Sequence, residues 1–159
     1  MPETIIIGSD HAGFDLKERV KEWLEERGFQ VEDVGSPSPE QVDYPDFAHL
    51  VADAVGSGRR SRGVVICGTG IGVSIAANRH AGVRAAVVCG EDTARLAREH
   101  NDSNVLALGG RTLDPVLAER ILDVWLKTPF AGGRHARRVA KIELDGAKSE
   151  PDGAKSATR

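Results

Sequence analysis

The segment Gly63–His80, "GVVICGTGIGVSIAANRH", decides how the chain is read. Its first five residues, Gly63 to Cys67, form an unbroken apolar run, the pattern of a strand buried on both faces. Three glycines at alternate positions follow, Gly68, Gly70 and Gly72, and then a stretch patterned as a helix. Strand, glycine turn and helix in that order is the unit from which parallel sheets are built. The thiol of Cys67 stands at the head of the turn. One stretch therefore sets the fold and raises a chemical question.

The same alternation runs outward in both directions. "TIIIG" (Thr4 to Gly8) precedes Phe14 to Arg27, where Leu16, Val20, Trp23 and Leu24 recur at helical spacing. "FQVEDVG" leads to Asp46–Val55, with Phe47, Leu50, Val51, Ala54 and Val55 on one face. "RAAVVC" leads into Glu91–Glu99 and "NVLALG" into Pro115–Leu126, and the basic segment Arg134–Leu144 predicts a last helix. Five strands alternating with helices predict an α/β fold with a mostly parallel sheet covered on both faces. Residues 145–159, "DGAKSEPDGAKSATR", repeat DGAKS without a large apolar residue, which predicts a disordered tail after one domain spanning 1–144.

Composition narrows the function. The chain has 159 residues, 40% apolar and 28% charged, ordinary for one globular domain. An aromatic content of 4% and a net charge of −3 argue against a nucleic-acid partner. No apolar run reaches the ~18 residues of a membrane span, and the N-terminus lacks a signal-peptide pattern. The expectation is a cytoplasmic protein with no membrane partner. Two cysteines on separate candidate strands, without CxxC or HExxH, predict neither a disulfide nor a metal site.

In open α/β sheets ligands bind at the carboxyl ends of strands. Those ends carry Asp10 and His11, then Cys67 with its glycines, then Arg111 in "GGR". The helix after the fourth strand runs out at "REHND", adding His100 and Asn101, and all of these groups are expected to converge on one crevice. Glycines allow positive φ and let successive N–H groups face an anion, and a helix N-terminus adds positive charge that also activates a thiol. On the turn alone, a tight connection around a small core cysteine reads equally well. The turn is not a Walker loop, a GxGxxG dinucleotide turn or a C-x5-R phosphatase loop, since Val73 stands where that arginine belongs. Cys89, beside Glu91 and Asp92, reads as structural. In "GGRHARRVAK", Arg134, Arg138 and Lys141 fall on one helical face, a cluster suited to a phosphate dianion. His49 reads as surface, His80 as a helix-end contact, and Tyr44 as packing or ligand contact.

Together "GSDHAGF", "DYPDFA", "ICGTGIGVSIAANR", "REHNDSNVLALGGR" and "GGRHARRV", spread from about Ile5 to Leu144, closely resemble the type B ribose-5-phosphate isomerases. These belong to a wider sugar-phosphate isomerase family that also takes galactose and allose 6-phosphates. The resemblance implies a three-layer α/β/α sandwich, Rossmann-like, with a five-stranded parallel sheet of order 2-1-3-5-4. It implies a cofactor-free aldose–ketose isomerase joining ribose 5-phosphate and ribulose 5-phosphate through a cis-enediolate, in the non-oxidative pentose phosphate pathway. Cys67 would be the base, and Thr69 with the amides of Gly68, Gly70, Ile71 and Gly72 would hold the enediolate oxygen. His100 would open the furanose ring, and Asn101 and Asp10 would hold sugar hydroxyls. His11, Arg111, Arg134, His135 and Arg138 would hold the phosphate, with Tyr44 also at the substrate. One subgroup uses a carboxylate base on the turn; here Val73 and Ser74 bring no acid, so the chain resembles the cysteine subgroup. The resemblance also implies a homodimer with sites shared between chains, further pairing to a tetramer being left open. A hexose phosphate as second substrate, a non-catalytic phosphosugar module and a nucleic-acid role for Arg134–Lys141 stay as alternatives.

Overall fold

β1 (Thr4–Ser9) is centred on three isoleucines, whose branched side chains favour extended backbone. α1 (Phe14–Glu26), β2 (Gln30–Asp33), α2 (Tyr44–Gly56), β3 (Gly63–Cys67) and α3 (Ile71–Ala77) follow. β4 (Ala85–Val87), α4 (Glu91–Asn101), β5 (Val105–Gly109), α5 (Pro115–Lys127) and α6 (Arg134–Ala140) complete the chain. This computed structural model describes residues 1–144; the DGAKS tail lies outside the described residues. Every strand pair is parallel, in the order β2-β1-β3-β5-β4 that the resemblance implies.

Successive strand residues point to opposite faces, and both faces are covered. Ile5, Ile7, Val64, Ile66, Leu106 and Leu108 pack against α1, α4 and α5 through Leu16, Val20, Ala97, Ile121 and Trp125. Ile6, Val65, Cys67, Val105 and Ala107 pack against α2 and α3 through Val51, Val55, Val73 and Ala77. The result is a three-layer sandwich. Each large side chain so buried contributes about 1.5–3 kcal/mol. Burial on both faces is why the runs of β3 and β5 are continuous rather than alternating. The carboxyl ends of the central strands therefore form a rigid edge.

Three local expectations change, and a fourth gains a partner. Leu50 is 51% exposed, because the inward stripe of α2 consists of Ala48, Val51, Ala52, Ala54 and Val55. With Ile71 and Ile75 of α3, 55% and 63% exposed, it leaves large apolar side chains on the outside of that layer. Cys89 is exposed rather than structural, since the short edge strand β4 ends two residues earlier, at Val87. α6 stops at Ala140 with Lys141 as its cap, and Glu143 beyond it accepts the Gly82 N–H at 2.7 Å, drawing that segment to the loop before β4. His80 pairs with the surface residue His49 across α2 and α3, Nε2 to Nδ1 at 2.8 Å, which adds a side-chain partner to its helix-end position.

Candidate active site

Three loops lock together at the carboxyl edge of β1, β3 and β5. The Asp10 N–H donates to the Ile66 carbonyl at 3.2 Å, carrying β1 one residue further along β3. Its buried carboxylate accepts the Gly13 N–H at 3.0 Å and is fastened to the start of α1. From the β5 side, the Gly110 N–H donates to the Cys67 carbonyl at 2.8 Å and the Arg111 N–H to the Gly68 carbonyl at 2.9 Å. Gly70 takes φ +80°, and a Cβ there would lie 3.0 Å from the Leu108 carbonyl carbon, so both conformation and space call for glycine. That turn aims the Gly70 N–H at the Cys67 sulfur, 3.2 Å away, while Thr69 Oγ1 accepts the Ile71 N–H at 3.2 Å.

Further polar side chains stand around the turn. The Tyr44 ring lies over Gly72 so closely that a Cβ there would meet it at 2.8 Å. The Arg111 side chain passes Gly68, its Cδ 3.4 Å from where a Cβ would stand. His11 Nδ1 lies 3.2 Å from both the N and the O of Val42, in the loop entering α2. Asp10, His11, Tyr44, Cys67, Gly68, Thr69, Gly70, Ile71, Gly72 and Arg111 thus share one edge. A sulfur, a carboxylate, an imidazole, a guanidinium and directed N–H groups can move a proton beside an anion.

The remaining candidates lie at the opposite edge. α4 runs back against the strands, and its last residue sits where β4 begins: Arg84, just before β4, donates its Nε to the Asn101 carbonyl at 3.1 Å. His100 stacks on His135 at 4.3 Å between ring centres and 13° between planes, and the Ala131 N–H reaches the Glu99 carbonyl at 3.1 Å. α6 is thereby set against the end of α4, bringing exposed Arg134 and Arg138 with it. Desolvation of the stacked ring, with the charges of His100, Arg134 and Arg138, holds the His135 imidazole below its ordinary pKa. At ~3.3 Å per strand residue, the length of β3 alone separates the two edges by about 13 Å. Within one chain His100 and Asn101, at the end of α4, therefore stand apart from the groups at the carboxyl edge, and a crevice holding both sets draws on more than one chain's surface.

A family described as Ribose/Galactose Isomerase matches residues 5–142. The chain belongs to that family. Ribose-5-phosphate isomerase B of Escherichia coli (strain K12) is 51% identical over 139 residues, covering 87% of this chain and 93% of that protein. The structure of Clostridium thermocellum ribose-5-phosphate isomerase B superposes with a TM-score of 0.86 at 55% identity, covering 87% of this chain and 94% of that one. The Mycoplasma genitalium ribose-5-phosphate isomerase B structure, with bound ribulose 5-phosphate, gives 0.85 at 46% identity, covering 89% and 95%.

Within this isomerase-family fold, the residues that hold the candidate site rather than form it leave little signal in the sequence. Val42 fixes His11 from 31 residues away, and no spacing rule reveals such a contact. Gly13 was visible inside "GSDHAGF" but gave no sign of its bond to Asp10. Among the described residues, no three His, Cys, Asp or Glu side chains gather as a metal site, and no helix is long and apolar enough to cross a membrane.

Proposed function

We propose that the chain interconverts ribose 5-phosphate and ribulose 5-phosphate through a cis-enediolate, in the non-oxidative pentose phosphate pathway, with residues 1–144 acting as one sugar-phosphate isomerase domain. The observation that carries this is the Cys67 sulfur, held 3.2 Å from the Gly70 N–H at the carboxyl edge of the sheet. As thiolate, Cys67 takes the C2 proton; the C2–H electron pair becomes the C1–C2 double bond and the carbonyl pair moves to O1. The Thr69 hydroxyl and the N–H groups of Gly68 and Gly72 stabilise that oxyanion, while the Gly70 N–H steadies the sulfur and the Ile71 N–H holds the Thr69 oxygen in place. The thiol then returns its proton to C1 while the O2 proton passes to O1, leaving the C2 ketone. Asp10 holds a sugar hydroxyl, Tyr44 lines the substrate, and His11 and Arg111 grip the phosphate, whose binding orients the reacting carbons.

His100, which opens the ring, Asn101, and the phosphate-binding Arg134, His135 and Arg138 come from a second copy. Two observations support this homodimer: the separation of the two residue groups across the sheet, and the exposed Leu50, Ile71 and Ile75. The test is conversion of ribose 5-phosphate with EDTA present, for wild type and Cys67→Ala. A loss of about 10²–10⁴ in the variant is expected for a missing base. Full turnover by the variant would place the base elsewhere. No wild-type turnover on the pentose, with turnover on allose 6-phosphate, would reassign the substrate; none on either would leave a binding module.

A further inference from the structure

We infer that Asp102, gripped by Arg84 and Arg98, is a positioning residue that sets the direction of His100 and Asn101. The inference rests on the proposed function, which gives those two residues their work. Asp102 has φ +46° and ψ +45° and is, among the described residues, the one non-glycine with positive φ. Helices commonly end on this left-handed conformation, but with glycine or asparagine, because a Cβ disfavours it. Here the side chain is held on both sides. Arg98 Nη1 donates to Asp102 Oδ1 at 2.9 Å, and Arg84 Nη2 lies 3.5 Å from Oδ2.

The same two arginines take the carbonyls that a helix end normally leaves to water. Arg84 Nε donates to the carbonyls of Asn101, at 3.1 Å, and Asp102, at 3.0 Å. Arg98 reaches the Ser103 carbonyl with Nη1 at 2.6 Å and the Thr128 carbonyl with Nε at 3.2 Å. Behind them, fully buried Trp125 donates from its indole to Ser103 Oγ at 2.8 Å, and the Asn104 side chain accepts the Arg84 N–H at 2.8 Å. His100 and Asn101 immediately precede this turn, and the His100 ring is already stacked on His135. A backbone fixed so heavily beside two site residues presents them in one orientation, without waiting for substrate.

The experiment uses the full chain and the variants Asp102→Gly, Arg84→Met and Asp102→Asn, each also in a background carrying both His100→Ala and Asn101→Ala. Glycine keeps the left-handed turn, so Asp102→Gly is expected to melt within a few degrees of wild type yet lose about tenfold in kcat/KM on ribose 5-phosphate. Arg84→Met behaves alike, whereas Asp102→Asn, which keeps an oxygen acceptor and tolerates positive φ, recovers most of the loss. In the doubly substituted background Arg84→Met is expected to add less than about twofold, since a residue acting through His100 and Asn101 has nothing left to orient. Equal losses in both backgrounds, or wild-type kcat/KM in Asp102→Gly and Arg84→Met, overturn the inference. Imidazole NMR signals of His100 and His135 supply a readout independent of turnover. If wild type does not isomerise the sugar but those signals shift in Asp102→Gly, the positioning role stands and the isomerase reading fails. Unshifted signals overturn the positioning role.

Discussion

Gly70 shows how a single missing side chain organises the site. Its positive φ directs its own N–H to the Cys67 sulfur, and the space where a Cβ would stand is closed by the Leu108 backbone. Alanine there would adopt a conformation costing about 1–2 kcal/mol and press on backbone that cannot swing aside. We expect Gly70→Ala to lose at least about 1 kcal/mol in urea unfolding and most of its turnover. Wild-type activity in a folded variant would show that the aim of this N–H is immaterial. Gly72 differs, because the neighbour closing its space is the part-exposed Tyr44 ring, which has room to move.

Among the elements, α1 is tied to its surroundings by charge as well as by its apolar face. Arg27 joins it to α5, with Nε 2.7 Å from Asp123 Oδ1 and Nη2 2.8 Å from Glu119 Oε1. That hydrogen bond from Arg27 outweighs desolvation and holds the Asp123 carboxyl below the usual carboxylate range. Asp33 is pushed up by burial, but hydrogen bonds from Lys17 and Lys21 and the Gly35 N–H outweigh this and leave it lowered too. A carboxyl depressed by folding contributes stability that is complete above its unfolded pKa, about 3.9, and is lost as pH falls through the folded value. The melting temperature is therefore expected to fall as pH drops from about 5 to about 3. Asp123→Asn should cost about 1 kcal/mol at neutral pH and flatten that acid slope. Thermal melts across this range decide it; an unchanged slope in the variant would remove Asp123 from the acid sensitivity.

For the whole molecule, the decisive feature is the placement of its two sets of candidate site residues on opposite edges of the sheet. If a second copy completes each site, Cys67→Ala and His100→Ala damage different halves. Mixed under conditions that exchange subunits, two nearly inactive variants should recover about a quarter of wild-type activity, because half the dimers are hybrid and each carries one intact site. Activity that stays at the level of the separate variants after verified exchange would mean that each chain completes its own site. The exposed Leu50, Ile71 and Ile75 belong to the same account, being apolar area that a single chain leaves wet.

The sequence by itself determined the elements and their class. Apolar runs such as "GVVIC" and "NVLALG" record burial on both faces, and glycine at 70 records a positive φ, because both are local properties of the chain. The motifs also carried the strand order, through resemblance rather than through periodicity. Only the tertiary structure decided which residues meet. Cys89 lost its core position because β4 is short, and Leu50 faced outward because smaller residues of α2 pack the sheet. His100 and Asn101 followed α4 back to the edge remote from Cys67, since a helix between parallel strands must return to where the next strand begins. Periodicity fixes the face of an element; the end of the sheet to which a residue is delivered depends on how the element packs.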